Sequence, residues 1–281
     1  QYAWRVMPFG LTNAPATFQR LMNEIFHKIL NKTVVVYLDD ILVFSKTQKD
    51  HKRDLEEVFK ILRANNLIAK RRKCYFFQTR LNFLGHVISS EGISPNEDKI
   101  KAIRTWPIPK SKKEALSFLG LTTYYRRFIE KYAHIAASLY DYTAEKTKWT
   151  EEQTRLFNEL KDRLVSAPIL ILPDPKQKYV VYTDASDRCI GAVLQQTDKH
   201  HKLLGVVAYE SKKLSGAQLN YPVREKECLA IHYALKKWQH YLSGTNFIVY
   251  SDHQSLNYIR TTPHQNPRIL RWLEFFARFD F

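Results

Sequence analysis

The sequence predicts a multidomain protein that combines an α+β domain, a helical domain and an α/β domain. Three successive hydrophobic patterns along the 281 residues support this division. Helices and short strands alternate through residues 1–92, helix-opening motifs recur through 93–165, and strand-like patterns begin at residue 178. With 44% hydrophobic residues, the chain is long enough for two or more domains of about 100–200 residues each.

The first segment has the order helix, strand, strand, helix and strand. These elements are predicted at residues 16–30, 33–38, 41–44, 49–65 and 81–88. Pro15 precedes a set of apolar residues at helical spacing, which is the usual place for proline at a helix start. The two short strands flank a pair of aspartates, so they are predicted to form a hairpin.

The middle segment carries three motifs that open helices. Ser94-Pro95-Asn96-Glu97, Ser111-Lys112-Lys113-Glu114 and Thr150-Glu151-Glu152-Gln153 each place a hydroxyl side chain three residues before Glu or Gln. This is the pattern of a capping box, and each motif is predicted to begin an amphipathic helix. A helical domain over 93–165 follows, and the proline-containing stretch 166–177 is predicted to be a tether.

The third segment returns to strands. Strands are predicted at residues 178–184, 191–195 and 205–209, a helix at 224–241 and a further strand at 247–252. This order predicts a separate α/β domain over 178–281.

The charge of the chain indicates a polyanionic partner. It carries 44 Lys and Arg against 28 Asp and Glu, a net charge of +16, and ten of these cations lie in residues 46–73. Such a field is typical of nucleic-acid binding, although cations that only keep a protein dispersed are the alternative. Residues 124–128 interleave aromatic residues with Arg, which suits stacking and phosphate contact, or equally the anchoring of a core.

The cysteines and the hydropathy of the chain indicate the kind of compartment in which it is expected to work. Cys74, Cys189 and Cys228 are odd in number and include no C-x-x-C spacing, which argues against a disulfide framework or a zinc site and for a reducing environment. No apolar run approaches the ~18 residues of a membrane span, and no signal-peptide pattern opens the chain. Both ends lie inside element-like sequence, so the chain is expected to be truncated at both ends.

Asp39 and Asp40 stand inside the apolar run 34–44. A carboxylate removed from water is costly, and two neighbours raise the cost further. A hairpin turn is one explanation, although Asp-Asp suits a two-residue turn less well than Asn-Gly. A divalent cation held by both carboxylates is the other, and the spacing alone does not decide between them.

Three further acids lie at the ends of elements in the third segment. Asp184 and Asp252 each end a predicted strand, and Glu227 lies near the start of the predicted helix. If the two strands are parallel neighbours, these carboxylates would meet and could hold two metal ions for phosphodiester hydrolysis. Each acid taken singly is better explained as an ordinary residue of a strand end or first helical turn.

Ordered motifs along the chain resemble one known family. Residues 7–19, Tyr37-Leu38-Asp39-Asp40, 73–76 and 83–86 resemble the successive motifs of a reverse transcriptase of gypsy-class LTR retrotransposon polyproteins. Residues 183–186, Tyr221-Pro222 with 225–227, and 251–253 resemble the ribonuclease H domain that follows in that family. The motifs occur in the family's order and span the chain.

The resemblance implies a partial right-hand polymerase palm in 1–92, a helical thumb in 93–165, a tether in 166–177 and a ribonuclease H-like α/β domain in 178–281. Asp39 and Asp40 match the aspartates of the palm's metal site. Phe9 and Gly10 match the segment that lines the incoming nucleotide, and Lys73 matches the basic residue near its phosphates.

In the ribonuclease H-like domain, Asp184, Glu227 and Asp252 match three of the four acids of the hydrolytic site. Glu227 is preferred to Glu225 because it is followed by the family-like Cys-Leu-Ala-Ile context. The family's palm has another aspartate upstream of Tyr2, and its ribonuclease H has a fourth acid downstream. The chain is therefore expected to polymerise poorly on its own, and its hydrolysis to be weakened.

The implied activities are RNA-directed DNA synthesis and cleavage of the RNA strand of an RNA–DNA hybrid. Both imply Mg²⁺, with Mn²⁺ as a substitute. The implied partners are an RNA template, a DNA primer, the RNA–DNA hybrid and deoxynucleoside triphosphates, with no membrane. An intracellular location follows, in the cytoplasm, a retroelement particle or the nucleus. The alternative is an inactive, truncated copy that only binds nucleic acid. The oligomeric state is not predicted.

Overall fold

The computed structural model describes residues 5–8, 10–144, 148–253, 256 and 266–281. The chain divides into two compact units, Gln1–Leu84 and Gly85–Phe281. Within the described residues, no helix combines the length and the apolar character that crossing a bilayer requires.

The first unit is a small α+β structure. Its elements are α1 (Ala14–Ile25), β1 (Val34–Tyr37), β2 (Asp40–Val43), α2 (Gln48–Ala64), a 3₁₀ turn (Arg71–Lys73) and β3 (Arg80–Phe83). β1 and β2 form the predicted antiparallel hairpin, with Tyr37 opposite Asp40. Thr47 caps α2 by accepting a hydrogen bond from the backbone N–H of Asp50 at 3.1 Å. The core joins both helices to β1 through buried Met22, Phe26, Ile29, Val34, Val36, Val58 and Leu62.

The single strand predicted over residues 81–88 is wrong. β3 ends at Phe83, and a separate strand, β4 (His86–Ser89), follows a turn. Leu84 and Gly85 occupy this turn with φ of +48° and +74°. A strand requires negative φ, so two consecutive residues in the left-handed region end it despite the continuous apolar pattern.

The helix predicted to begin at Ser94 begins later. Residues Gly92–Pro95 form strand β5, which pairs antiparallel with β4 and places Ser94 opposite Val87. Asn96 is the N-cap instead, and its side-chain oxygen accepts hydrogen bonds from the N–H groups of Asp98 at 2.9 Å and Lys99 at 3.2 Å. The cap moves because Ser94 is engaged in the β4–β5 pair.

Helices make up the part of the second unit that follows. They are α3 (Glu97–Arg104), α4 (Lys112–Tyr124), a 3₁₀ turn (Arg126–Phe128), α5 (Tyr132–Ala144) and α6 (Glu151–Val165). The predicted caps of α4 and α6 are confirmed, since Ser111 accepts from the N–H of Glu114 at 3.3 Å and Thr150 forms a capping box with Gln153. The core between these helices contains Phe118 and Phe157, whose ring centroids lie 4.4 Å apart.

The second unit ends in an α/β layer. Its elements are β6 (Lys178–Ala185), β7 (Cys189–Thr197), β8 (Leu203–Lys213), a 3₁₀ turn (Gly216–Asn220), α7 (Val223–Lys237), α8 (Gln239–Leu242), β9 (Phe247–Ser251) and α9 (Pro267–Phe276). The strand order is β8-β7-β6-β9, with β9 parallel to β6 and the other pairs antiparallel. The mixed α and β architecture confirms the predicted fold class. Helix α9 was not predicted, although Asn266-Pro267 is a helix-opening pair.

The predicted tether forms backbone hydrogen bonds to strands on both of its sides. Leu170 is fully buried in the helical core and exchanges backbone hydrogen bonds with Ile93 of β5 at 2.8 and 2.9 Å. The next residue, Ile171, donates its N–H to the carbonyl of Val206 in β8 at 2.9 Å. This part of residues 166–177 therefore links the helices to the sheet by fixed backbone contacts.

The helical part packs directly on the sheet of the α/β layer within Gly85–Phe281. Arg126 forms an ion pair with Glu210 at 2.9 Å, and Arg188 forms one with Asp141 at 2.7 Å. The N–H of Ala133 also donates to the Ser211 hydroxyl at 2.8 Å. These contacts bring the start of α5 to the end of β6, where the candidate site lies.

Candidate active site

Three carboxylates meet at one edge of the sheet. The parallel β6–β9 pair places Thr183 opposite Ser251, so Asp184 and Asp252 follow at the same strand ends. Helix α7 packs on β6 and contributes Glu227 from its buried face. One carboxylate oxygen from each acid lies within 4.8 Å of the others. The predicted convergence of these three side chains is thus present in the structure.

Glu227 is the buried member of this group, with 3% of its surface exposed. Its Oε1 accepts a hydrogen bond from the N–H of Ala185 at 3.2 Å, which holds the side chain against β6. Its Oε2 is buried and accepts no hydrogen bond among the described residues. Burial, followed by the nearby Asp252 carboxylate, raises the pKa of Glu227 to about 7.

The donor set suits a divalent cation. Clustered carboxylate oxygens are the ligands that hard cations take, and the unsatisfied Oε2 of Glu227 is a buried acceptor aligned with such a role. A cation would also offset the mutual repulsion that raises the pKa of Glu227. The three residues therefore fit a metal site.

A positively charged side chain, that of Lys131, also lies at this site. The Nζ of Lys131, just before α5, lies 2.5 Å from Oδ2 of Asp184. This hydrogen bond to Asp184 raises the pKa of the Lys131 amine above its ordinary value, so the amine stays charged. Lys131 and Glu130 line a cavity of about 500 Å³ together with Asp184 and Asp252. Sequence analysis missed Lys131 because nothing local marks it; the contact exists only through the packing of α5 on the sheet.

The preference for Glu227 over Glu225 agrees with the geometry. Glu225 is also buried, but it accepts hydrogen bonds from the Asn266 side chain at 2.6 Å and from the Arg268 guanidinium. Those partners belong to the start of α9. Glu225 therefore anchors a helix, whereas Glu227 faces the acidic group.

The Asp39–Asp40 pair lies at the tip of the β1–β2 hairpin. Both residues are exposed, so the cost of burying two carboxylates that the apolar run suggested does not arise. The two residues between the strands are Leu38 and Asp39, with Leu38 at φ +53°, and Asp40 already belongs to β2. The turn is held from α1, since Gln19 accepts from the N–H of Leu38 at 2.6 Å and donates to the carbonyl of Val36 at 3.2 Å.

The other residues predicted for the nucleotide site are Lys73, Gly10 and Phe9, and the structure describes two of them. Lys73 is exposed at the end of the 3₁₀ turn Arg71–Lys73. Gly10 is exposed with φ +96°, and a Cβ built there would meet no atom within 4 Å. Phe9 lies outside the described residues. Among the described acids, the group of three that could hold a metal is Asp184, Glu227 and Asp252, and the Asp39–Asp40 pair is not part of it.

Two family models match the chain in the order of its segments. Residues 1–88 match the reverse transcriptase (RNA-dependent DNA polymerase) model, and residues 174–279 match the model of the RNase H-like domain found in reverse transcriptase. The second match contains the acidic group.

Curated relatives cover the whole chain. The chain is 42% identical over 283 residues to the retrovirus-related Pol polyprotein from transposon 297 of Drosophila melanogaster, covering 100% of the chain and 26% of that polyprotein. It is 38% identical over 286 residues to the transposon Tf2-3 polyprotein of Schizosaccharomyces pombe, covering 100% of the chain and 21% of the relative. The chain thus spans about a quarter of the length of these relatives.

Solved structures give the same result. A foamy viral protease-reverse transcriptase in complex with an RNA/DNA hybrid has a TM-score of 0.80 and 28% identity, covering 97% of this chain and 38% of that one. A second foamy viral structure, in complex with double-stranded DNA, has a TM-score of 0.83 and 28% identity, covering 98% and 49%. The chain belongs to the retrotransposon polyproteins of the Ty3/gypsy type, of which it carries a reverse transcriptase region followed by an RNase H-like domain.

Proposed function

We propose that the chain cuts the RNA strand of an RNA–DNA hybrid, with Mg²⁺ held by Asp184, Glu227 and Asp252 and with Mn²⁺ as a substitute. The observation that carries this proposal is the convergence of the three carboxylates at the parallel ends of β6 and β9. The hybrid-bound foamy viral relative supports an RNA–DNA hybrid as the partner. The net charge of +16 favours the same class of ligand.

Each residue has a distinct task in this proposal. A divalent cation, when bound, supplies Lewis-acid stabilisation of charge on the phosphate oxygens. Asp184 and Asp252, at the strand ends, would be two of the residues that hold the cation. Glu227, the buried acid, would be the third, and the N–H of Ala185 fixes the orientation of that carboxylate. The hybrid is gripped through its backbone and shape rather than through base edges.

Replacing Asp184 by Asn should lower Mg²⁺-dependent cleavage of a labelled RNA–DNA hybrid by at least about a hundredfold, because one of the three anionic ligands is lost. Chelation by EDTA should abolish cleavage by the unmodified chain, and added Mg²⁺ should restore it. Gel electrophoresis of the labelled RNA strand measures both effects.

The matched control is Asp98→Asn, in the first turn of α3. The Asp98 side chain is 85% exposed, its partner Lys101 is 75% exposed, and Asp98 does not belong to the acidic group. Its cleavage rate should stay within about twofold of the unmodified chain, as expected for a surface substitution. An unmodified chain that binds the hybrid but does not cut it with Mg²⁺ would favour the alternative of an inactive nucleic-acid-binding copy.

We infer a second activity, RNA-directed DNA synthesis, for the first unit. The exposed carboxylates of Asp39 and Asp40 at the hairpin tip favour this, because metal ions and nucleotide phosphates can reach them. Deoxynucleoside triphosphates, an RNA template and a DNA primer are the proposed ligands, with Phe9, Gly10 and Lys73 near the nucleotide.

Primer extension tests this second activity. A chain extended upstream along its polyprotein should extend a primer far better than the 281-residue chain, because the family's palm uses an upstream aspartate together with the Asp pair. Asp39→Asn in the extended chain should abolish synthesis while hybrid cleavage continues. Equal extension by both lengths would contradict the need for the upstream residue.

The proposed functional division is palm 1–92, thumb 93–165, tether 166–177 and ribonuclease H-like domain 178–281. An intracellular location, in the cytoplasm, a retroelement particle or the nucleus, is proposed with it. The free thiols of Cys74, Cys189 and Cys228 support a reducing compartment.

A further inference from the structure

Lys131 has an unusual backbone for its residue type. It lies between the 3₁₀ turn Arg126–Phe128 and α5, with φ +54°. Residues other than glycine rarely adopt this left-handed region, and Asn or Asp tolerate it better than Lys. A strained backbone at a site is a reason to ask what the side chain does there. The side chain of Lys131 reaches across to the sheet and contacts Asp184.

The surrounding contacts hold Lys131 in this position. The neighbouring α5 residues Ala133 and His134 bond to the sheet domain, through the Ser211 hydroxyl at 2.8 Å and the Ser186 hydroxyl at 3.0 Å. Further along α5, Asp141 pairs with Arg188 and Lys213. Before Lys131 in the chain, Arg126 pairs with Glu210 of the sheet at 2.9 Å. Contacts to the sheet therefore flank Lys131 on both sides, and the packing of the two layers brings its amine to the carboxylate.

The amine contacts one oxygen of a carboxylate that belongs to the candidate metal site. Its Nζ lies 2.5 Å from Oδ2 of Asp184, and Asp184 is one of the three acids whose oxygens lie within 4.8 Å of one another. An ammonium group at this distance neutralises part of the negative charge that would attract a divalent cation, and the two positive charges repel each other. The ion pair is half exposed, so displacing the amine is feasible.

We propose that Lys131 is a built-in competitor for the divalent cation, so that the helical layer lowers the metal affinity of the acidic group while it is packed on the sheet. This inference rests on the proposed metal site and adds its regulation. Metal binding at Asp184 is favoured when the Lys131 side chain swings away, because the competing positive charge leaves the site. Any substrate or partner that draws Lys131 to a phosphate, or lifts α5 from the sheet, would raise the metal affinity of the site.

Binding of Mn²⁺ to the full 281-residue chain without nucleic acid tests the proposal. A titration monitored by electron paramagnetic resonance measures the concentration of free Mn²⁺ and requires no catalysis. Lys131→Met removes the charge but keeps most of the side-chain length, and it should tighten Mn²⁺ binding by about three- to tenfold, the range expected for losing a half-exposed ion pair together with a nearby repulsive charge. Lys131→Arg keeps the charge and should bind Mn²⁺ within about twofold of the unmodified chain.

Lys213→Met is the matched control for a loosened interface. Lys213 pairs with Asp141 at the same layer boundary and does not belong to the acidic group. If Lys213→Met tightens Mn²⁺ binding as much as Lys131→Met, the effect comes from undocking and direct competition is wrong. Unchanged or weaker binding by Lys131→Met likewise overturns the proposal.

The same titration separates this inference from the proposed metal site. Mn²⁺ binding that Asp184→Asn abolishes but Lys131→Met leaves unchanged keeps the metal site and overturns the competitor. Binding by Lys131→Met alone, with none by the unmodified chain, supports strong competition. Absence of binding in the unmodified chain and in Lys131→Met overturns both.

Discussion

Replacing Glu227 by Gln should abolish hybrid cleavage and at the same time make the metal-free protein more stable at pH 8. We expect cleavage with Mg²⁺ to fall by at least about a thousandfold, because water cannot easily replace the buried carboxylate, unlike those of the half-buried Asp184 and the exposed Asp252. Without metal, the same carboxylate lowers the stability of the folded protein. Its Oε2 is buried without a hydrogen-bond partner among the described residues, and Asp252 lies nearby.

The stability gain should depend on pH in a defined direction. Burial and Asp252 raise the pKa of Glu227 from its ordinary 4.5 to about 7 in the folded chain. Between these values the unfolded chain has lost the proton and the folded chain still holds it. The contribution of this group to the free energy of unfolding is therefore undiminished below about pH 4.5, falls as pH rises to 7, and is fully lost by pH 8. Gln does not titrate, so it should remove a penalty of about 1–3 kcal/mol at pH 8 and little at pH 5.

Urea unfolding in EDTA at pH 5 and pH 8 measures this effect. The other titrating groups are common to both chains, so they cancel in the difference between variant and unmodified protein. Saturating Mg²⁺ should reverse the order at pH 8, because bound metal stabilises only the chain that retains the full site. A Glu227→Gln chain that is less stable than the unmodified one at pH 8 in EDTA would contradict the account.

Glu225→Gln is the matched control, two residues earlier on α7. Glu225 is buried like Glu227 but is paired with Arg268 and Asn266. Removing its charge should destabilise the protein at both pH values by about 1–3 kcal/mol, because a charged partner loses its counterpart. Metal-dependent cleavage should persist under all conditions in which this variant is folded. Opposite signs for the two substitutions would distinguish an anchoring carboxylate from a metal-binding one.

The acidic group was predictable from the sequence because it depends on regular elements. Asp184 and Asp252 follow apolar strand segments, and parallel neighbours bring such ends together. Glu227 precedes Ala230, Ile231 and Ala234 at helical spacing, which places it on the face of α7 that packs on the sheet. The fold class follows from the same periodicities.

Features that depend on single backbone residues or on packing between layers were not predictable. The apolar run through residues 81–88 continues across Leu84 and Gly85, so its pattern gives no sign of the two left-handed residues that end the strand. The apolar run 34–44 suggested that the two aspartates within it are buried. Val34 and Val36 are buried, yet the tip residues Asp39 and Asp40 are exposed. Lys131 and Asp184 are 53 positions apart, and only the docking of α5 joins them.

Replacing Gly92 by Ala should destabilise the second unit by about 3 kcal/mol or more, the combined cost of backbone strain and overpacking. Gly92 opens β5 with φ +140°, a region that residues with a side chain rarely adopt. A Cβ there would lie 2.1 Å from the carbonyl oxygen of Leu170 and 2.9 Å from its carbonyl carbon. Both are backbone atoms, so no side-chain rotation can relieve the clash.

The clash falls where the segment 166–177 is attached. The carbonyl of Leu170 accepts the N–H of Ile93 at 2.8 Å, and the Leu170 side chain is fully buried among the helices. Moving this carbonyl away from β5 therefore strains a backbone hydrogen bond and a core side chain together. The adjacent bond from Ile171 to Val206 of β8 would be strained as well, so the loss should extend to the packing of the helices on the sheet.

Gly120→Ala is the matched control, because it adds the same methyl group elsewhere in the same unit. Gly120 lies inside α4, and a Cβ there would meet no atom within 4 Å. Ala is the better helix former, so this variant should be neutral or more stable by up to about 1 kcal/mol. Urea unfolding of both variants, with limited proteolysis of residues 166–177, measures the contrast. If Gly92→Ala unfolds like Gly120→Ala, the backbone at Leu170 can yield freely, and the segment is a loose tether rather than a fixed link between helices and sheet.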